Sequence, residues 1–175
     1  SMAIELEGLV RTEQDYDPGT AIVRTRLFDG RGQGIEVVDF APRFFTRDRP
    51  FRPAIIVRRV RPLSGHPRVR IAVHPSGEWG TAAPTMARGS NHLRYVLPSG
   101  TLRLTTNAPP TYIADGTWFS LFGPISLLFG PDETLTGGYS NNRLHRTGSG
   151  CGGRTNAPMC GPGLCSAVRM AIAST

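Results

Sequence analysis

The chain has 175 residues, enough for one domain with a hydrophobic core of its own. Hydrophobic residues make up 39% of the chain and charged residues 19%, which excludes a disordered protein. The net charge of +7 comes from 20 basic residues, all arginine, but no recognition helix or aromatic RNA-binding motif accompanies them, which argues against a nucleic-acid partner.

Stretches rich in β-branched residues, separated by turn residues, divide the first half of the chain into strands. Residues 20–27 and 35–40 are predicted to form a hairpin across a glycine-rich turn. Residues 54–61 and 68–74 are predicted to form a second hairpin through a segment containing proline and glycine. Five arginines alternate with aliphatic residues in that second hairpin and are predicted to form its solvated face: Arg58, Arg59, Arg61, Arg68 and Arg70.

The second half continues the same pattern of short strands. Residues 92–97 and 101–106 are predicted to pair around a Pro-Ser-Gly turn. Residues 112–114 and 117–121 flank Asp115-Gly116, a dipeptide typical of two-residue hairpin turns.

A continuous apolar run at residues 125–129 is bounded by Gly-Pro on both sides, which predicts a central strand buried on both faces. About nine short strands and no strand-helix alternation predict an all-β fold, an antiparallel two-sheet super-sandwich, for residues 3–138. Residues 137–163 are nearly devoid of β-branched and large apolar residues, and residues 139–175 are predicted to form an irregular tail rich in Gly, Arg and Cys. Within that tail, apolar spacing predicts a short helix over residues 164–173.

The carboxylates do not form a recognisable catalytic pair. A glycoside hydrolase needs two of them facing each other across the scissile bond. Asp132 and Glu133 are adjacent, and a turn role with hydrogen bonds to local backbone amides is the favoured interpretation. The residue pattern therefore indicates no catalytic residue.

No metal or cofactor site is predicted either. Cys151, Cys160, Cys165 and His145 could ligate zinc, but their spacing matches no standard zinc pattern, and free thiols are the favoured interpretation. An odd number of cysteines indicates no disulfide framework, and no apolar run of about eighteen residues indicates a membrane span. We therefore expect no membrane association and a cytoplasmic location. The exclusive use of arginine is typical of a GC-rich bacterial gene.

Aromatic residues could form a platform that stacks on sugar rings, as in carbohydrate-binding modules. The candidates are Trp79, Tyr95, Tyr112, Trp118 and the eight phenylalanines, although core packing is the commoner use of such residues. Trp118, Phe119 and Phe122 lie beside the predicted buried strand. They are interpreted as core or as a docking face for another domain.

Six segments resemble the N-terminal β-sandwich region of bacterial glycoside hydrolases of family fifteen, the glucoamylase-like and trehalase-like enzymes. The similarity covers about residues 8–138. The segments are TAIVRTR (20–26), EVVDFAP (36–42), IVRRVR (56–61), GSNHLRYV (89–96), LRLTTNAP (102–109) and LFGPDETL (128–135).

The resemblance implies an accessory domain that packs against an (α/α)₆ barrel, and this barrel carries both catalytic glutamates. No position of this chain matches those glutamates, so the chain by itself is expected to be non-catalytic. The implied substrate of the whole enzyme is a glucan or a disaccharide. The segment HPSGEWG (74–80) departs from the usual Arg-Pro-x-Phe-Asp-Tyr-Gly of the family, keeping an acid, an aromatic residue and the glycine.

After residue 138 the resemblance ends. Members of the family continue with a linker helix containing Tyr-Trp-x-x-Trp-Val-Arg, where this chain has RTGSGCGGRT (146–155). Reading the codons of residues 147–154 two bases later allows Trp-Lys-Trp-Val-Arg-Arg, which suggests a frameshift near residue 139. Sequencing the gene tests this hypothesis.

The sequence leaves two alternatives to the accessory domain open. A free-standing carbohydrate-binding β-sandwich would bind glycans through its aromatic residues. A polyanion-binding β protein would use its arginines, and its affinity would fall steeply with salt.

Overall fold

The computed structural model of the protein describes residues 1–46 and 49–132. Within these ranges the chain forms thirteen β-strands and one short α-helix, α1 (Pro110–Ala114). The first seven strands are β1 (Met2–Leu6), β2 (Leu9–Tyr16), β3 (Val23–Asp29), β4 (Gly34–Phe40), β5 (Phe44–Thr46), β6 (Arg49–Phe51) and β7 (Ile56–Ser64). The others are β8 (Arg68–Val73), β9 (Thr85–Arg88), β10 (His92–Leu97), β11 (Gly100–Thr106), β12 (Phe119–Ser120) and β13 (Ile125–Pro131).

The strands form two main antiparallel sheets. The larger sheet has eight strands in the order β2-β3-β4-β7-β13-β11-β10-β9, and the smaller sheet has the order β1-β8-β12. Strands β5 and β6 pair with each other in a separate two-stranded ribbon. The predicted all-β, antiparallel two-sheet sandwich is therefore confirmed.

The core lies between the inner faces of the two sheets. Alternation along β4 turns Ile35 and Val37 inward, and alternation along β8 buries Val69 and Ile71 from the other side. Full burial of each such aliphatic side chain stabilises the fold by about 1.5–3 kcal/mol. Helix α1 contacts β8 and β10 and adds the buried Ile113 to the same core.

An arginine side chain ties the two sheets together at the edge of this core. Arg58 on β7 donates from Nε and Nη2 to the two carboxylate oxygens of Asp39 on β4, at 2.6 and 2.8 Å. Its Nη1 donates to the carbonyl oxygen of Met2 on β1, at 2.7 Å. Because Met2 belongs to the smaller sheet, this one guanidinium links both layers.

The outer face of the larger sheet carries a buried carboxylate. Glu36 is only 2% exposed, and arginines of both neighbouring strands surround it. Arg61 of β7 lies 2.7 Å from Oε1 of Glu36, Arg24 of β3 lies 3.3 Å from the same atom, and Arg26 of β3 lies 3.7 Å from Oε2. Register explains the cluster, since Arg26, Glu36 and Arg61 face each other across β3, β4 and β7.

Three of the predicted strand arrangements are confirmed. Strands β3 and β4 form the predicted hairpin, and β10 and β11 form another. Strand β13 lies between β7 and β11 in the larger sheet, as the apolar run at 125–129 indicated. Its Ile125 and Leu127 are buried.

The predicted hairpin of residues 54–61 and 68–74 is wrong. Strand β7 pairs with β4 and β13 in the larger sheet, whereas β8 pairs with β1 and β12 in the smaller one. The chain crosses between the sheets after Ser64, where Gly65 has a φ of +64°. The arginines of this region also do not form one solvated hairpin face, because Arg58, Arg61, Arg68 and Arg70 pair with carboxylates of neighbouring strands.

The predicted hairpin around Asp115-Gly116 is also wrong. Residues Pro110–Ala114 form α1, and Gly116, with a φ of +62°, ends it. The N–H of Thr117 donates to the carbonyl of Tyr112, and the N–H of Gly116 donates to the carbonyl of Ile113, which is a Schellman arrangement. A glycine with positive φ can end a helix or form part of a hairpin turn. The Asp115-Gly116 dipeptide alone therefore does not distinguish these two structures.

The prediction of about nine strands missed β1, β2, β5, β6 and β9. Strand β2 (Leu9–Tyr16) is an edge strand that is mostly polar and exposed, so it lacks the apolar alternation that marks a half-buried strand. Backbone pairing with β3 holds it in place. The predicted domain end at residue 138 and the predicted tail of residues 139–175, with its short helix, lie outside the described residues.

A glycine of β13 allows close packing against the segment before β7. A Cβ built at Gly130 would lie 2.4 Å from Cγ2 of Ile55 and 2.8 Å from the carbonyl oxygen of Ala54. Gly130→Ala should therefore lower the free energy of unfolding by about 1–3 kcal/mol, measured by urea denaturation.

Gly123→Ala is the matched control for this substitution. A Cβ at Gly123 meets no atom within 4 Å. Replacing glycine by alanine lowers the conformational entropy of the unfolded chain equally in both variants, so this contribution cancels. Equal stability of the two variants would contradict the packing that the structure shows around Gly130.

Candidate functional site

Aromatic side chains gather near α1 and β12, where β12 pairs with the start of β8. We call Tyr112, Trp118, Phe119 and Phe122, together with His66, the aromatic corner. The Tyr112 and Phe119 rings have centroids 5.6 Å apart, and the His66 and Phe122 rings lie 4.9 Å apart. Phe122 is 76% exposed and Tyr112 is 42% exposed, so the corner presents an aromatic surface to solvent.

Local sequence positions the corner. Pro110 at the first turn starts α1, and Gly116 ends it, which sends the chain back toward β8. Strand β12 then pairs with β8 through Phe119 opposite Val69. The N–H of Leu121 donates to the carbonyl of Pro67, the residue before β8. This bond continues the pairing of β12 with β8 and holds the segment that carries Phe122 in place.

A groove of about 670 Å³ runs beside the aromatic corner. Arg68 and Asn107 add polar groups to its lining. Asn107 is held in place, because its Oδ1 accepts from the N–H of Ser126 at 2.7 Å and its Nδ2 donates to the carbonyl of Pro124 at 3.3 Å. The groove thus joins an apolar surface to a rigid polar rim.

Trp118 is half-buried and lies under a paired arginine. The guanidinium carbon of Arg70 is 5.0 Å from the centre of the Trp118 ring, within cation–π distance. Arg70 also forms an ion pair with Glu5 of β1. The indole is therefore attached to the smaller sheet on one face, and this contact orients the aromatic corner.

A further exposed aromatic residue, Trp79, lies on a tight loop between β8 and β9. We call residues 77–82 the Trp79 loop. Paired backbone hydrogen bonds between Gly77 and Ala82, at 3.0 and 3.2 Å, close its base. The side chain of Trp79 reaches full exposure, at 106% of the reference value.

The Trp79 loop holds its backbone in an unfavourable conformation. Glu78 has a φ of +48° and Trp79 has a φ of +58°, and these are the only non-glycine residues with positive φ among those the structure describes. Each such residue costs roughly 1–3 kcal/mol. The hydroxyl and N–H of Thr81 both donate to the carbonyl of Glu78, at 2.8 and 3.3 Å, and help to hold this conformation.

A cavity of about 710 Å³ adjoins this loop, and we call it the loop cavity. It lies between the end of β8, the end of α1 and the Trp79 loop. Its lining includes His74, Ser76, Thr81, Tyr95, Ile113 and Asp115. Tyr95 is 3% exposed, and burial raises its pKa to about 12, so its hydroxyl stays protonated at neutral pH.

The tryptophan and tyrosine residues considered for a stacking platform do not lie on one surface. Tyr95 belongs to the core, where its ring packs edge-on against Phe129 with centroids 6.3 Å apart. Tyr112 and Trp118 belong to the aromatic corner, while Trp79 is exposed on its own loop. Sequence patterns cannot separate these cases, because the exposure of Trp79 follows from a loop conformation that sequence periodicity does not report.

Most carboxylates of the described residues are paired with arginines rather than facing each other. The pairs are Glu5–Arg70, Glu7–Arg68, Glu13–Arg26, Asp15–Arg26, Asp17–Arg24, Glu36–Arg61, Asp39–Arg58, Asp115–Arg88 and Asp132–Arg94. The hydrogen bond from Arg24 lowers the pKa of Asp17 in spite of its partial burial. Ion pairs of this kind are suited to holding neighbouring strands together.

Asp132 lies at the end of β13, with its side chain 9% exposed. Its oxygens lie 2.6 Å from Arg94 on β10 and 3.6 Å from Arg103 on β11. Asp132 thus joins three strands of the larger sheet. Glu133 and the backbone amides that follow Asp132 in the predicted turn lie outside the described residues.

The charges of Arg94, Arg103 and Asp132 also act on a nearby histidine, His92. His92, at the start of β10, has its Nδ1 3.1 Å from Oδ1 of Asn91. Burial, followed by the positive charges of Arg103 and Arg94, lowers the pKa of His92. The ring is therefore neutral at physiological pH.

The possible zinc ligands Cys151, Cys160, Cys165 and His145 lie outside the described residues. The part of the chain that is described holds no group of three or more potential metal ligands. Over residues 1–46 and 49–132, no helix has both the length and the apolar character needed to cross a membrane. Comparison of the chain with protein-family models, with curated proteins and with solved structures finds no match.

Proposed function

We propose that the chain is the accessory, non-catalytic β-sandwich domain of a bacterial glycoside hydrolase of the glucoamylase and trehalase type. In this proposal an (α/α)₆ barrel supplies the catalytic glutamates and cleaves a glucan or a disaccharide. The resemblance of residues 8–138 to the N-terminal region of such enzymes motivates the proposal, and the two-sheet antiparallel fold agrees with it.

The observation that carries the proposal is the aromatic corner. Exposed aromatic side chains that cluster beside a groove are typical of surfaces that another protein covers. Phe122 projects from this surface with 76% of its area exposed, and the ring of His66 supports it on one side. Docking of the barrel here would bury the ring, and the rigid Asn107 at the groove would offer polar contacts at the rim.

The distribution of carboxylates supports a non-catalytic role. Inverting hydrolysis requires an acid and a base about 6.5–9.5 Å apart with a water between them. Glu36 and Asp132, the most buried carboxylates of the described residues, are both neutralised by arginines. For Glu36 the arginines lower the pKa, which makes its carboxyl a poor proton donor to a leaving group.

The same ion pairs weaken the case for a polyanion ligand. Arginines that are bound to carboxylates contribute little net field, although the sequence as a whole has a charge of +7. The proposal includes a cytoplasmic location, which is supported by the odd number of cysteines.

The first test is association with a barrel. The purified chain should bind a separately expressed (α/α)₆ barrel of a family-fifteen enzyme in isothermal titration calorimetry. Phe122→Asp should weaken this binding at least about tenfold, because it places a charge in the covered apolar surface. Tyr16→Asp, at an equally exposed aromatic residue on edge strand β2, is the matched control and should change the affinity less than about twofold.

The second test is activity. The chain alone should release no glucose from maltose, isomaltose or trehalose above a buffer blank, and Asp132→Asn should change only its stability. Glucose release by the chain alone that one carboxylate substitution abolishes would refute the accessory role. Failure to bind any family-fifteen barrel would refute the docking surface.

A further inference from the structure

The Trp79 loop has features that packing of the sandwich does not require. Its indole is fully exposed, yet two consecutive non-glycine residues adopt positive φ to hold it there. A loop with no role beyond linking β8 to β9 could place glycine or asparagine at these positions without strain. Strained backbone that persists in this way is found at ligand-binding sites.

The loop that carries this indole also forms part of the loop cavity, which supplies polar groups. Gly80 and Thr81, the residues that follow Trp79 in the chain, line the cavity. Asp115, at the end of α1, lines it as well, with 51% of its side chain exposed. One oxygen of Asp115 accepts a bond from Arg88 at 2.8 Å, and its second oxygen can accept from a ligand.

We propose that Trp79 and the loop cavity form a binding subsite for a neutral disaccharide of pyranose sugars. The flat indole face provides stacking against the C–H face of a sugar ring, and the side chains of His74, Ser76 and Thr81 provide partners for its hydroxyl groups. A volume of about 710 Å³ lies within the range of small-ligand sites.

Charge selects a neutral ligand over an anionic one. No arginine is among the described residues that line the cavity, so a phosphate or carboxylate group would find no guanidinium there to bind it. Hydroxyl groups of a sugar can donate to the free oxygen of Asp115. The subsite does not depend on docking of the barrel, because its residues come from β8, the Trp79 loop and α1, and not from the aromatic corner.

Tryptophan fluorescence of the full chain provides a direct test, since the sequence has only two tryptophans. In the Trp118→Phe variant, Trp79 is the single reporter. Titration with maltose and with trehalose should shift its emission to shorter wavelength and saturate for at least one sugar, with a Kd of about 1–10 mM. Glycerol, which has hydroxyl groups but no ring face, should cause no saturable shift.

Variants separate sugar stacking on Trp79 from binding elsewhere on the domain. Binding of the same sugar, followed by NMR, should weaken at least about tenfold in Trp79→Ala and should be largely retained in Trp79→Phe and in Phe122→Ala. The absence of a saturable shift up to about 50 mM of either sugar would overturn the proposal.

Two further outcomes would also overturn it. One is unchanged sugar binding in Trp79→Ala. The other is a loss of barrel binding in Trp79→Ala without any sugar response, which would make the loop a protein contact. Sugar binding without barrel binding would refute the proposed docking surface and leave the subsite standing.

Discussion

Glu36→Gln should lower the free energy of unfolding by about 3 kcal/mol, because it leaves the arginines around a buried carboxylate without their counter-charge. Glu36 is 2% exposed and lies within 4 Å of Arg24, Arg26 and Arg61. These arginines are partly exposed, which keeps the expected loss at the lower end of the range for buried pairs. Urea denaturation at pH 7 measures the difference.

Glu7→Gln is the matched control for this substitution. Glu7 pairs with Arg68 between two exposed strand ends, with 42% and 49% of the side chains exposed. Such a pair contributes less than about 1 kcal/mol. Similar losses in the two variants would show that burial of Glu36 has no special effect on stability.

The effect of Glu36 should depend on pH in a defined direction. Burial raises the pKa of Glu36, but the hydrogen bond from Arg61 and the charges of Arg61, Arg24 and Arg26 outweigh burial and lower the pKa overall. A lowered pKa in the folded state stabilises the protein fully above the unfolded value of about 4.3. This contribution is lost as the pH falls through the folded pKa, so wild type and Glu36→Gln should converge in acid.

Leu127→Ala should also destabilise the protein by about 3 kcal/mol, since it opens a cavity in the centre of the larger sheet. Leu127 is completely buried on β13, between β7 and β11, and belongs to the core that both sheets share. The loss combines the transfer free energy of the removed carbons with the cavity that the surrounding sheet cannot close. Thermal and urea denaturation should both report it.

Leu63→Ala is the control for this substitution. Leu63 lies near the end of β7 with 37% of its side chain exposed, and its truncation should cost less than about 1 kcal/mol. A loss at Leu127 no greater than that at Leu63 would contradict the position of β13 at the centre of the core.

Residue pattern alone was sufficient for those parts of the fold in which neighbours in sequence are neighbours in space. The hairpin of β3 and β4 has its turn between the two strands, and the apolar run of β13 marks a strand buried on both faces. The class of fold follows from many such local signals. For Trp118, Phe119 and Phe122 the same reasoning predicted a core or a docking role; the structure leaves Phe122 76% exposed, and docking stays a prediction.

Only the tertiary structure decided which strands pair and which side chains are exposed. Alternation shows that one face of β8 is buried, but it does not say which sheet receives that face, and β8 pairs with β1 across more than sixty residues of sequence. The burial of Glu36 likewise requires arginines from β3 and β7 on either side of β4. Pairing and burial depend on contacts between distant segments, and these contacts are set by packing of the whole domain rather than by local residue preference.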